Sequence, residues 1–131
     1  MHLDDGQYAQ LLDFRDGLRR FLRWSEQQAK AAGLTPAQHQ LLLAIRGHGD
    51  DPTIGDLAGH LLLRHHSTVE LVDRAEAGGL VRRDLDPTDH RIVHVRLTRS
   101  GRGHLAELSA AHLEELERLA PSVKPIWAGL A

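Results

Sequence analysis

The stretch that decides the fold is residues 80–98, LVRRDLDPTDHRIVHVRLT. It contains two short runs of alternating apolar and polar side chains, residues 81–85 and 92–97, and such alternation predicts β-strands. Between the runs lies DPTDHR, residues 86–91, which is rich in turn-forming residues. The stretch therefore predicts a β-hairpin with a polar tip that carries an arginine.

Two helices are predicted directly before this hairpin. The longer one spans about residues 65–77, with apolar residues recurring along one side, and Gly78-Gly79 ends it. The shorter one opens at Thr53 and is followed by a turn at residues 62–64. Two helices, a short turn and a hairpin predict a winged helix-turn-helix, in which the second helix enters the major groove and the hairpin reaches the phosphates or the minor groove.

Longer helices are predicted on both sides of this unit. Residues 7–32 and the segment after Thr98 carry apolar residues at helical spacing, and Pro121 is expected to end the second of these helices. A lone winged unit has no surface to bury both apolar faces, so we expect a homodimer. The predicted fold is a mainly α, α+β winged helix in a single domain, residues 1–131. Within it, the winged helix-turn-helix covers about 34–98, and dimerisation helices cover about 5–33 and 99–131.

Composition excludes several classes of function. The chain has no cysteine, which excludes disulfides, thiolate zinc sites and thiol-based redox sensing. The sequence has no apolar run of the ~18 residues that a membrane span requires, and its N-terminus lacks the features of a signal peptide. We therefore expect a cytoplasmic protein with no membrane association. A phosphate-binding glycine loop, a nucleophile elbow and paired catalytic carboxylates are also missing from the sequence, so neither an enzyme nor a cofactor is predicted.

The charge pattern adds weak support for a nucleic-acid partner. The formal net charge is −2, but residues 64–102 hold eight arginines against six acidic residues. The acidic surplus lies in the outer segments, so the basic residues are concentrated in the predicted DNA-reading unit.

Short motifs along the chain resemble one known family. They are Leu34-Thr35-Pro36-Ala37-Gln38, Ile54-Gly55-Asp56-Leu57-Ala58, Ser67-Thr68-Val69, Leu71-Val72-Asp73-Arg74, Gly79-Leu80-Val81-Arg82-Arg83, Asp86-Pro87-x-Asp89-x-Arg91 and Leu97-Thr98-x-x-Gly101. Their order and spacing resemble the multiple antibiotic resistance regulator (MarR) family of winged helix-turn-helix transcription factors. The resemblance covers nearly the whole chain.

The resemblance implies an architecture and a function. It implies a homodimer whose first, fifth and sixth helices interlock, with two winged units below. It also implies a sequence-specific regulator of transcription, usually a repressor, that is released from DNA by a small aromatic or phenolic ligand. Two-fold symmetry then predicts a pseudo-palindromic duplex operator. The alternative is a dimeric helical scaffold or protein-interaction module that has lost DNA binding.

Two groups of residues are predicted to contact DNA. At the hairpin tip these are Asp89, His90 and Arg91, with Arg91 entering a narrow minor groove and Asp89 fixing its direction. The alternative there is an exposed arginine in a local ion pair. At the start of the fourth helix, where N–H groups, hydroxyls and arginines bind phosphates or read guanine, they are Arg64, His65, His66, Ser67 and Thr68. The alternative there is that Ser67 or Thr68 only caps the helix.

Three further interpretations concern single positions. Arg74 is predicted to contact phosphate or, alternatively, to pair with Asp73 or Glu70. Trp24, His39 and Leu43 are predicted to line an effector cleft between the dimerisation helices and the winged unit, unless they are ordinary core residues. The spacing of the ten histidines does not predict a metal site, although a metal-responsive regulator that uses His39 and His112 is a conceivable alternative.

Overall fold

The computed structural model describes the backbone of residues 2–130 and the side chains of residues 2–121. The elements are α1 (Asp5–Ala31), α2 (Pro36–Gly47), α3 (Ile54–Leu61), α4 (His65–Ala77), β1 (Val81–Leu85), β2 (Val93–Leu97) and α5 (Arg99–Leu130). Strands β1 and β2 form a two-stranded antiparallel sheet. The predicted mainly α winged helix is confirmed.

The first three helices begin at local capping signals. The cap residues Asp4, Thr35 and Thr53 each accept a hydrogen bond from the backbone three residues later, and the side chain at that later position bonds back. These capping boxes satisfy N–H groups that have no partner within the helix. Since the signals are local, the predicted start of α3 at Thr53 is confirmed.

The core lies where α2, α3, α4 and the sheet meet. Its fully buried members include Leu41, Leu42, Ile45, Leu57, Val72, Val95 and Leu97. Leu105 and Leu108 of α5 are buried in the same cluster. Burying such a side chain stabilises the fold by roughly 1.5–3 kcal/mol. The core therefore fixes α3 and α4 as one rigid unit against the hairpin.

The hairpin is also attached to the loop between α2 and α3. Its register pairs Val81 with Leu97 and Leu85 with Val93. On the outer side of β2, Val95 N–H donates to the carbonyl of Pro52 at 2.8 Å, and Thr53 forms a single antiparallel bridge with His94. The residues just before α3 therefore protect part of the edge of β2.

The end of α5 differs from the prediction. We expected Pro121 to end the helix, but α5 continues to Leu130, and no separate sixth helix follows within residues 2–130. A proline removes one N–H donor from the helical ladder, and the turns on either side maintain the helix here. None of the helices in this range is both long and apolar enough to cross a membrane.

Gly101 lets the first turn of α5 approach the connection between α4 and β1 closely. A methyl group at this position would overlap the carbonyl oxygen of Leu80. Thr98 holds the same junction, because its hydroxyl donates to the carbonyl of Gly79 at 2.6 Å and accepts from Gly101 N–H. Thr98 therefore caps the start of α5.

Candidate nucleic-acid interface

The start of α4 presents several polar side chains to solvent. Arg64 is the N-cap residue, and its side chain accepts no capping hydrogen bond from the N–H groups of the first turn. Arg64, His65 and His66 are exposed, and Ser67 is half-buried. The alternative that Ser67 or Thr68 caps the helix is therefore wrong. The N–H groups of this turn remain available to an anion.

Thr68 requires a correction. Its side chain is fully buried, and its hydroxyl donates to the carbonyl of Arg64 at 3.0 Å. The predicted DNA contact at this position is wrong because the side chain points into the core between α4 and its neighbours. Its hydroxyl hydrogen bond stabilises the first turn of α4 from inside.

Arg74 is exposed near the end of α4. The ion-pair partner suggested for it, Asp73, is instead bound by Arg83 of β1 at 2.6 Å, and Arg83 also binds Glu76 at 2.8 Å. Among the side chains of residues 2–121, Arg74 forms no ion pair. The sequence-based alternative of a local pair is therefore wrong, and the Arg74 guanidinium is available to a partner.

Asp86 organises the tip of the hairpin. Its Oδ1 atom accepts hydrogen bonds from Thr88 N–H at 2.9 Å, from the Thr88 hydroxyl at 2.8 Å and from Asp89 N–H at 2.9 Å. Its Oδ2 atom accepts from His94 Nε2 at 2.7 Å. The bond from His94, followed by those from Thr88, holds the pKa of Asp86 well below its usual range. The turn is therefore closed around one carboxylate.

Arg91 forms the predicted pair with Asp89. Its Nε and a terminal nitrogen each donate to one carboxylate oxygen of Asp89 at 3.0 Å. The hydrogen bond from Arg91 holds the pKa of Asp89 below its ordinary value. The Arg91 side chain is 90% exposed, so the guanidinium is oriented but accessible. His90 is also exposed at this tip.

His94 connects the hairpin tip to the α2–α3 loop. Its Nε2 lies 2.7 Å from the Asp86 carboxylate, and its Nδ1 lies 2.9 Å from the carbonyl of Asp51. Both partners only accept, so both ring nitrogens carry protons in this arrangement. The hydrogen bond to Asp86, then that to Asp51, raises the pKa of His94.

Asp50 and Asp51 of the same loop bind further cations. Asp51 accepts from Arg96 of β2 at 2.6 Å, and Arg96 also binds Asp84 at 2.8 Å. Asp50 pairs with Arg102 of α5 and accepts from the backbone N–H of Leu97 at 3.2 Å. Two consecutive carboxylates therefore connect the strand β2 to the helix α5.

Sequence reasoning did not select Asp86, His94, Asp50 or Asp51 as site residues. For Asp86 a signal was present, because Asp followed by Pro and Thr favours a turn closed by the aspartate side chain. His94 lies 8 residues from Asp86 in the sequence. The loop aspartates Asp51 and Asp50 lie 45 and 52 residues from their arginine partners, so no local pattern identifies these residues.

The predicted effector residues are brought together only in part. Trp24 and His39 both contact His112 of α5, with ring centroids 4.8 Å apart in each pair. Leu43, by contrast, is an exposed residue of α2. Burial, followed by the charge of His112, lowers the pKa of His39. A small pocket of about 110 Å³ lies beside His39.

A second, larger groove lies nearer the hairpin. It has a volume of about 310 Å³ and is lined by Arg46, Leu97, Arg102, Leu105, Ala106 and Ser109. Its size reaches the lower end of the range for small-molecule sites, and it combines apolar walls with two guanidinium groups. It is a second candidate for an acidic aromatic ligand.

The geometry does not favour a metal ion between His39 and His112. His112 Nδ1 donates to the carbonyl of Leu108 at 2.6 Å, and its Nε2 lies 2.6 Å from the hydroxyl of Ser25. Both nitrogens are therefore engaged. Among the side chains of residues 2–121, no group of three or more histidines and acids is arranged to hold a metal.

Comparison with known proteins supports the resemblance to one family. Residues 32–92, which cover α2 to the hairpin tip, match the model of the MarR family. Over this stretch, which is a little under half of the chain, the sequence is similar to the MarR family. The resemblance drawn from the sequence motifs is confirmed.

Three proteins that this chain resembles are informative. An uncharacterized HTH-type transcriptional regulator, YsmB of Bacillus subtilis (strain 168), is 35% identical over 83 residues, which are 63% of this chain and 56% of that protein. The chain therefore matches little more than half the length of that relative. The structure of a MarR family protein from Bacillus stearothermophilus is 25% identical with a TM-score of 0.76, covering 91% of this chain and 83% of that one.

The third relative is a protein of similar fold whose structure was determined in complex with DNA. It is a mutant of MepR from S. aureus bound to an oligodeoxyribonucleotide, 21% identical with a TM-score of 0.72, covering 95% of this chain and 98% of that one. At this identity the match demonstrates the shared fold alone.

Proposed function

We propose that this chain is a transcriptional regulator that binds a double-stranded, pseudo-palindromic DNA operator. The observation that carries the proposal is the joint exposure of the α4 start and of Arg91 on one winged unit. A helix that carries Arg64 and His66 at its first turn suits the major groove, and a guanidinium at the wing tip suits the adjacent minor groove. The family match and the DNA complex of a protein with this fold support the proposal.

The contacts proposed from the structure are Arg64, His65, His66, Ser67, Arg74, His90 and Arg91, with Asp89 orienting Arg91. Thr68 is no longer among them. An enzymatic activity is not part of this proposal, and neither is a cofactor. A protein that binds chromosomal DNA must be in the same compartment as the DNA. We therefore also propose the cytoplasmic location that the sequence predicts.

Selection of bound duplexes from a random pool, followed by salt-dependent binding assays, tests DNA recognition. Arg91→Ala is expected to weaken binding to many sequences and to lower the salt slope by about 1. Arg19→Ala is the matched control, because Arg19 is also paired with an aspartate but lies on α1. No enriched sequence at low salt, with full folding by circular dichroism, would favour the helical scaffold instead.

We also propose that the chain acts as a homodimer through α1 and α5. Large apolar side chains of both helices remain exposed in the single chain, among them Tyr8, Leu11, Leu12, Leu18, Leu22, Leu113 and Leu116. A second copy of the chain would bury them, as two-fold association allows. Leu116→Lys is expected to shift sedimentation toward the monomer, whereas Leu85→Lys on the exposed hairpin is not.

A small aromatic or phenolic ligand that releases DNA is the third part of the proposal. His39, whose ring contacts His112 beside Trp24, lines the smaller pocket, and the larger groove with Arg46 and Arg102 suits a carboxylate. Such a ligand acts only if it binds the DNA-competent and incompetent states with different affinity.

Benzoate and salicylate are suitable probes for this part. We expect a titration to change Trp24 fluorescence and DNA affinity together, measured in a Trp127→Phe background. Trp127 lies outside the residues whose side chains are described. Arg46→Ala tests the larger groove and Ser25→Ala the smaller pocket. If no compound changes both signals, the ligand switch is abandoned and DNA binding is retained.

A further inference from the structure

Two histidines from different helices face each other at the protein surface. His48 is the C-cap residue of α2, and His60 lies in the last turn of α3. The Nδ1 atom of His48 is 2.8 Å from the Nε2 atom of His60, and their ring centroids are 5.0 Å apart at an angle of 76°. Both residues are exposed, so water reaches the space beside the two nitrogens.

This geometry is close to that of two imidazoles on one metal ion. With metal–nitrogen distances of 2.0–2.1 Å and a tetrahedral angle, two ligand nitrogens are about 3.3 Å apart. The observed pair is therefore about half an ångström too close, which small side-chain rotations of two exposed residues can correct. In the metal-free pair, one ring must donate its N–H to the lone pair of the other.

Asp56 supplies an independent observation on the far side of His48. One of its carboxylate oxygens lies 3.5 Å from His48 Nε2. The same oxygen accepts a hydrogen bond from the backbone N–H of Thr53 at 3.0 Å, which holds the carboxylate in place beside His48. A carboxylate at this position favours the proton on Nε2 and leaves the Nδ1 lone pair facing His60. Such carboxylate–histidine pairs commonly orient metal-binding imidazoles.

We propose that His48 and His60 bind one divalent transition-metal ion of the class that imidazole prefers, such as Zn²⁺ or Ni²⁺. His48 ligates through Nδ1 and His60 through Nε2, with the His60 proton moving to its Nδ1. Water molecules occupy the remaining coordination positions. Both rings bind as neutral ligands, so the step exchanges a hydrogen bond for two metal–nitrogen bonds without net proton release.

The site connects the end of α2 to the first helix of the helix-turn-helix. It is separate from the His39–His112 contact, in which both ring nitrogens of His112 are engaged by Ser25 and Leu108. It also does not depend on the proposed DNA binding, because its ligands and its carboxylate partner lie within residues 48–60.

A Zn²⁺ titration of the full chain tests the proposal. Imidazole ¹⁵N NMR identifies the ligand nitrogens, and calorimetry measures the number of bound ions. We expect the first equivalent of Zn²⁺ to shift His48 Nδ1 and His60 Nε2, and Mg²⁺ to shift neither. His60→Gln is expected to remove one bound equivalent. His65→Gln, at a neighbouring exposed histidine on α4, is expected to remove none.

A second variant tests the role of Asp56. Because Asp56 also completes the capping box of α3, Asp56→Asn is paired with a measurement of helicity. Weaker Zn²⁺ binding with unchanged helicity supports the proposed orientation of His48. The proposal is overturned if the first equivalent ligates other histidines, or if His60→Gln retains the full number of bound ions.

Discussion

The Nε2 atom of His94 lies 2.7 Å from Oδ2 of Asp86, so a residue of β2 holds the turn at the hairpin tip through a charged hydrogen bond. The second ring nitrogen of His94 bonds to the carbonyl of Asp51. One protonated imidazole therefore connects the hairpin tip, the strand and the α2–α3 loop.

This contact predicts a pH dependence of stability. The pKa of His94 is raised above its ordinary value, which is near 6.5 in an unfolded chain. Its contribution is therefore complete below about pH 6.5 and is lost as pH rises through the higher folded value. The charged groups that face His94 are Asp86 and Asp51, with Arg96 beyond them.

Thermal unfolding of the native protein and of His94→Gln between about pH 5.5 and about pH 9 measures this effect. The difference in Tm is expected to be largest at acid pH and to shrink at alkaline pH. His39, whose pKa is lowered, acts in the opposite direction but is common to both proteins. A Tm difference that stays constant across the range contradicts the prediction.

Thr68→Val tests whether the Thr68 hydroxyl contributes to stability and not to DNA binding. The variant keeps the shape of the side chain and removes a hydroxyl that donates to the carbonyl of Arg64. That carbonyl retains the backbone N–H of Thr68 as a partner, so we expect a loss of about 1 kcal/mol in unfolding free energy. DNA affinity is expected to change less than for His66→Ala. A larger change in sequence preference for Thr68→Val than for His66→Ala would falsify this assignment.

Gly101→Ala is expected to destabilise the protein although alanine favours helices. The added methyl overlaps the Leu80 carbonyl, and relief of such overlap costs about 1–3 kcal/mol, more than the gain of up to about 1 kcal/mol in helix propensity. Gly103→Ala is the matched control on the same helix, because nothing lies within 4 Å of the position that its added methyl would take. It is expected to raise the Tm. Thermal unfolding at a fixed protein concentration shows whether each substitution lowers or raises the Tm.

Asp89→Asn separates the orientation of Arg91 from its charge. The substitution removes a negative charge near the proposed phosphate contacts and weakens the two-point pair with Arg91. We expect non-specific affinity to rise or stay constant, and the ratio of specific to non-specific affinity to fall about 5- to 10-fold, or about 1 kcal/mol. A ratio that is unchanged in competition binding assays would assign Arg91 a purely electrostatic role.

The parts of the fold that local chemistry determines were predicted from the sequence. Thr35 and Thr53 carry capping signals, and Gly33 and Gly79 adopt the positive φ angles typical of residues just after a helix. The start of α4 was less clear, because its cap residue is Arg64, which is not a preferred capping residue. Successive helical residues differ by about 100° in direction, so a one-residue error in register moves Thr68 between surface and core.

The remaining differences between prediction and structure arise from interactions that are not visible in the local sequence. Pro121 interrupts one hydrogen bond of a long helix, and the sequence does not reveal that the flanking turns preserve it. Arg74 and Arg83 both lie near Asp73, and only the packing of β1 against α4 selects Arg83 as its partner. The loop aspartates act through long-range pairs that have no sequence pattern.

The pairs formed by Asp50 and Asp51 have a mechanical consequence. Asp50 binds Arg102 on α5, and Asp51 binds Arg96 and His94 on β2. In a dimer built on α5, a rotation of that helix would pull on one carboxylate, and the adjacent carboxylate would transfer the movement to the hairpin. The distance between the two wing tips of the dimer would then follow the angle between its α5 helices, without any change within the helix-turn-helix itself.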